Sequence, residues 1–210
     1  MSIPRPARTK EEVVKEFRTT EILEAARRVI GELGYGEASM ERIAQKAGIS
    51  KGTIYLYFEN KEALFARAIE HGFEQLMEKT RAATRRARGH TAKVSEVARS
   101  AVEYSLEYLS FYRVLAERPD LGPAGRSAAS DRLRANVDDY VQYVADLLER
   151  GTRAGEFRGI NPHQAARILL AGVRTIIDEQ IREGKRSLVQ EEVDTLLDLF
   201  LNGAAAGGRS

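Results

Sequence analysis

The chain has 210 residues, with 33 Lys and Arg against 31 Asp and Glu and a hydrophobic fraction of 43%, ample for a packed core, so that a formal charge of +2 leaves any attraction for nucleic acid to local patches. It contains no cysteine, which removes disulfides, thiolate metal sites and cysteine nucleophiles and fits a reducing cytosol. Its basic start, M-S-I-P-R-P-A-R-T-K, lacks the apolar stretch of a signal peptide, and no run approaches the length of a membrane span, so a cytoplasmic protein without membrane association is expected.

Residues 1–18 read as a flexible basic arm or helix extension; T-K-E-E at Thr9 to Glu12 is a capping-box pattern that places a helix start near Lys10. From Thr20 to Leu33 the positions Ile22, Ala25, Ala26, Val29, Ile30 and Leu33 form an amphipathic stripe that Gly34 and Gly36 end. The string G-E-L-G-Y-G is read as a helix stop, because no strand precedes it and its spacing is wrong for a phosphate loop. Ser39 then caps a short helix whose buried face is Met40, Ile43, Ala44 and Ala47, and Gly48 stops it. Ser50 caps a second short helix that turns Ile54 inward, and Asn60 caps a third opening at Lys61.

Small Ala44, the turn at Gly48 and inward Ile54 suit two helices crossing at a steep angle, the helix-turn-helix arrangement. The outer face carries Ser39, Ser50, Lys51, Gly52, Thr53, Tyr55, Tyr57 and Lys61. Hydroxyls, ammonium groups and helix N-terminal amides donate to phosphate oxygens, and a threonine methyl can meet a thymine methyl, so these eight residues are the candidate DNA-binding set. Ile22, Ala44, Gly48, Ser50, Gly52, Thr53, Tyr55, Tyr57, Phe58, Lys61, Glu62 and Leu64 form a pattern over roughly residues 20 to 70 that resembles the N-terminal domain of the TetR family of bacterial transcriptional repressors.

Past Lys61 the apolar positions sustain one helix to about Arg88, too long for the small N-terminal domain alone, and its basic end, from Lys79 to Lys93, is read as cations placed at a helix C-terminus, with a second patch for DNA or an acidic partner as the alternative. Residues 91–117 are helical with a break near Ser110, and R-P-D-L-G-P-A-G-R-S-A-A-S interrupts the pattern. A helix capped by Ser130 runs to about Ala154; Asn161 and Pro162 open the next, and Ser187 with Gln190 opens the last. No run alternates with period two, so the expected fold is all-α with about nine helices. The domains are expected at 19–65 for DNA binding and 66–202 for effector binding and dimerisation, with 203–210 a flexible tail.

The last two helices are apolar over more than one stripe, which predicts a homodimer seam through Ile168, Gly172, Ile176, Val193, Leu197 and Phe200, with Gly172 letting backbones approach; a thicker core within one chain is the alternative. Aromatic residues concentrate on consecutive helices, so Phe73, Met77, Tyr104, Tyr108, Phe111, Tyr112, Tyr140 and Tyr143 are candidates to line an effector pocket. Arg113, Arg174 and Asp178 are candidate polar anchors, of which Arg174 joins the pocket set. His71, His90 and His163 lie on separate elements without metal-ligand spacing, and no nucleophile elbow or phosphate loop is present, so no metal, cofactor or catalytic residue is predicted. The resemblance implies a homodimeric repressor released from a palindromic DNA operator by an unidentified small molecule. An activator, or a helical enzyme or adaptor, is the alternative.

Overall fold

The computed structural model describes residues 9–117, 125, 128–183 and 189–204. The expectations for the N-terminal arm up to residue 8, the loop from 118 apart from Gly125, the Ser187 cap and the tail beyond 204 lie outside the described residues. Among the described residues there are nine helices and no strand: α1 Lys10–Glu37, α2 Met40–Lys46, α3 Lys51–Tyr55, α4 Lys61–Arg86, α5 His90–Glu107, α6 Leu109–Ala116, α7 Ala128–Arg153, α8 Pro162–Glu183 and α9 Val189–Ala204. They divide into two compact units, Met1–Ile69 and Glu70–Ser210, and α4 passes from the first into the second.

In the first unit the Thr9 capping box is complete: Thr9 Oγ1 accepts from the Glu12 amide at 3.2 Å and Glu12 Oε2 accepts from the Thr9 amide at 2.8 Å. The helix breaks at Gly34, where φ is +80°, and resumes for a last turn to Glu37. Ile22, Ala26 and Ile30 are fully buried, whereas Leu33, counted into the same stripe from its spacing, is 42% exposed just before the break. The N-terminal turns of α1 leave Val13, Val14 and Phe17 exposed. Arg27 is buried, with its guanidinium 3.5 Å from Glu24.

In the second unit Val94 and Val97 of α5, Val144 and Leu148 of α7, Ala166 and Leu169 of α8 and Val193 and Leu197 of α9 share one core. Asn161 Oδ1 accepts from the Gln164 amide at 3.0 Å, so Pro162 does open α8 under an asparagine cap. Two expectations shift. The α5–α6 break falls at Tyr108, two residues before Ser110. Helix α7 begins at Ala128, so Ser130 lies inside it and is buried rather than capping. The cap of α5 comes from far along the chain: Glu156 accepts from the amides of His90 at 2.7 Å and Thr91 at 3.0 Å.

The predicted seam needs the largest correction. Ile176, Val193 and Leu197 sit in the core of their own chain and offer no surface to a partner. A Cβ on Gly172 would lie 2.5 Å from Leu196 Cδ1, so the small residue admits α9 of the same chain. Helical periodicity marks apolar faces without saying which of two faces is consumed internally. The outward apolar residues are Ile168, 65% exposed, and Leu199, 72% exposed, with Phe200 half-buried.

Candidate functional site

Each short helix of the first unit is closed by a side chain adjacent in sequence. Ser39 Oγ accepts from the Arg42 amide at 3.2 Å, and Ser50 Oγ accepts from the Thr53 amide at 3.1 Å while sharing a hydrogen bond with Thr53 Oγ1 at 2.8 Å. Gly48 makes the turn with φ of +68°, a conformation that a Cβ would strain. Ile54 is 0% exposed and Ala44 1%, which fixes the rotation of α3 so that Lys51, Gly52 and Tyr55 are exposed and Thr53 and Tyr57 sit half-buried at the rim. Asn60 Oδ1 accepts from the Ala63 amide at 2.8 Å and starts α4.

The lysines of α2, of α3 and of the start of α4 each have a partner inside the first unit. Lys46 lies 3.5 Å from Glu32, and Lys51 pairs with Glu41, which holds the Glu41 carboxyl below its ordinary range and the Lys51 ammonium above its own. Both members of the second pair are more than half exposed, so a phosphate can take the place of Glu41 at little cost. Lys61 departs from its expected role as a free phosphate contact. Its Nζ donates to the carbonyls of Tyr35 at 2.7 Å and Gly36 at 3.3 Å and lies 4.4 Å from the centre of the Tyr35 ring. It thereby satisfies backbone acceptors at the end of α1.

The second unit contains a cavity of about 540 Å³ walled by α4 to α8. Of the predicted pocket residues, Phe73, Tyr112, Tyr140 and Arg174 line it, as does Asp178. Sequence reasoning missed Leu133, Val137, Asp138, Arg167, Leu170 and Ile177; the only signal was the ordinary amphipathic spacing of α7 and α8. Tyr104, Tyr108, Phe111, Tyr143 and Met77 are absent from the lining and pack elsewhere. Tyr104 donates to Gln75 at 2.9 Å and packs tilted on Tyr108 at 5.1 Å, Phe111 is buried edge-on to Tyr112, and Met77 lies against the core. Arg113 is exposed on α6 and is not among the lining residues.

Tyr140 ties the cavity wall to α4. Its hydroxyl shares a hydrogen bond of 3.0 Å with Thr80, and one turn on Tyr143 shares one of 2.5 Å with Thr84. Thr80, Thr84 and Tyr140 are all buried, and burial pushes the Tyr140 phenol well above its ordinary range, so the rung stays a neutral hydroxyl pair.

Residues 22–68 match the model of the bacterial regulatory proteins of the tetR family. The uncharacterized HTH-type transcriptional regulator YfiR of Bacillus subtilis is 30% identical over 166 residues, which span 75% of each chain. The chain belongs to the TetR family of transcriptional regulators. Solved structures agree in fold: the fatty acid degradation regulator FadR from Bacillus halodurans superposes with a TM-score of 0.75 at 21% identity, over 88% of this chain and 98% of its own. The transcriptional regulator FadR from Bacillus subtilis, in complex with stearoyl-CoA, gives 0.69 at 20% identity over 91% and 99%. As a TetR-family regulator the chain binds DNA through its helix-turn-helix, α2 and α3, and no described helix is long and apolar enough to cross a membrane.

Proposed function

We propose that the regulator is a homodimeric repressor that binds a palindromic operator through two copies of α3 and leaves it when a small molecule with a long apolar part enters the cavity of the second unit. The carrying observation is that cavity: its lining is mainly apolar and includes Tyr140, which is hydrogen-bonded through Thr80 to α4, the helix that continues into the DNA-reading unit. The stearoyl-CoA bound by the Bacillus subtilis FadR supports an acyl chain as the apolar part. The relatives are regulators, which supports this reading over an enzymatic one.

Ser39, Ser50, Lys51, Gly52 and Tyr57 hold the phosphate backbone, Thr53 and Tyr55 meet base edges, and Lys61 acts by holding the end of α1 in place for α4. Two-fold symmetry of the protein demands two-fold symmetry of the operator, with half-site centres about 34 to 36 Å apart. The seam runs through the outward residues Ile168, Leu199 and Phe200. Occupancy of the cavity displaces the Tyr140–Thr80 rung and favours a state of α4 that DNA does not select. Linkage then requires that operator and effector weaken each other by one common factor.

The test is a mobility-shift titration on the DNA just upstream of the protein's own coding region, at two salt concentrations, with and without stearoyl-CoA. A specific complex that weakens with salt and is released by stearoyl-CoA is expected. A complex strengthened by the acyl-CoA would favour the activator, and no complex above competitor DNA would end the operator reading. Sedimentation at micromolar concentration is expected to give a dimer that Ile168→Asp with Leu199→Asp converts to folded monomer; a wild-type monomer would remove the seam.

A further inference from the structure

We propose that Arg167 and Arg174 form a head-group subsite at the rim of the cavity, built for an amphiphile whose head carries two separated anionic groups, as phosphates do, in preference to a bare carboxylate. This rests on the reading of the cavity as the effector site. The charges of the lining are confined to one side: Asp138 on α7 and Arg167, Arg174 and Asp178 on α8. The remaining lining is apolar or hydroxyl-bearing, so a ligand with an apolar tail enters tail first and leaves its polar end at α7 and α8.

The two arginines stand seven residues apart on α8, about two turns, which places them on one face with about 10 Å of rise between them. Each is held by an aspartate. Arg174 Nε donates to both Asp178 oxygens at 3.0 Å, and an Arg167 nitrogen lies 3.7 Å from Asp138. The arginine side chains are 67% and 64% exposed, so these pairs are screened and an incoming anion replaces a carboxylate at little cost. Planar guanidinium groups bind phosphate oxygens through paired donors, and two phosphates spaced along a head group engage both arginines while neither leaves its helix face. A single carboxylate satisfies one of them and leaves the other with its aspartate.

The whole 210-residue chain is titrated calorimetrically with stearoyl-CoA, with stearate and with coenzyme A lacking the acyl chain. Stearoyl-CoA is expected to bind at least about tenfold more tightly than either part, with a salt-dependent affinity. Arg167→Ala and Arg174→Ala are each expected to weaken stearoyl-CoA about tenfold and to leave stearate within about twofold. Asp178→Ala, which removes the competing carboxylate, is expected to tighten stearoyl-CoA severalfold, an effect that no structural role for the pair produces. Equal affinity for stearate and stearoyl-CoA, or arginine variants indistinguishable from wild type, overturns the proposal. Failure of all three probes to bind also overturns it, together with the acyl effector, while the operator reading stands or falls separately on the mobility shift without ligand.

Discussion

The two units spend their hydroxyl groups differently. In the first, exposed Ser50 and half-buried Ser39 and Thr53 close helix ends a few residues away, so the short helices are held by their own neighbours. In the second, Thr80, Thr84 and Tyr140 are buried and bridge helices about sixty residues apart in sequence. A surface cap is replaceable by water when it opens, whereas a buried hydroxyl pair keeps or loses both partners together. Under the proposed function, the first arrangement serves the reading head, and the second serves an element with two discrete packings that a ligand biases.

Six substitutions sharpen this contrast, from the largest expected effect down. Ile54→Asp puts a charge into a fully buried site and is expected to abolish specific operator binding, losing at least about 3 kcal/mol of stability in the first unit, measurable by chemical denaturation. Retained binding would mean that α3 does not depend on the core beneath it.

Thr80→Val and Tyr140→Phe each strand a buried hydroxyl and are expected to cost about 1 to 3 kcal/mol. The double variant is expected to lose less than the sum, because it removes both polar partners, and to respond to stearoyl-CoA with less loss of operator affinity than wild type. Strict additivity in the double-mutant cycle would show that the rung carries no coupling.

Glu156→Gln tests the long-range cap of α5. His90 Nδ1 donates to the carboxylate at 2.7 Å and the amides of Thr91 and His90 add two more bonds, which together lower the Glu156 carboxyl to about 2. The folded value lies below the unfolded one, so the stabilisation is complete above the ordinary carboxylate range near 4.5 and is lost as pH falls toward 2. The side chain is 32% exposed, and solvent screening reduces the expected loss at neutral pH to about 1 to 2 kcal/mol, with the wild-type and variant melting temperatures converging at low pH. A constant difference across pH would remove the carboxylate from this role.

Ser50→Ala removes one cap and is expected to cost about 1 kcal/mol and to weaken operator binding modestly. The Thr53→Ala variant, which keeps the cap, is expected instead to change which operator half-site is preferred, as read by competition among variant duplexes. Equal losses on every duplex would place Thr53 among the backbone contacts.

By itself the sequence determined whatever depends on neighbours along the chain. The capping box at Thr9, the caps at Ser39, Ser50, Asn60 and Asn161 and the turn at Gly48 are each set within a few residues, because one backbone donor or one positive φ decides them. The same locality made the TetR-family resemblance legible, since its matching positions are crowded into one segment. Tertiary structure alone decided how each long helix is rotated about its axis. An apolar face looks the same in sequence whether it meets its own core, as at Ile176 and Leu197, a cavity, as at Ile177, or the outside of the chain, as at Ile168. The cap at Glu156 and the rungs at Tyr140 and Tyr143 were hidden for a related reason: their partners lie about sixty residues away, and only the packing of distant segments brings those polar atoms within bonding distance.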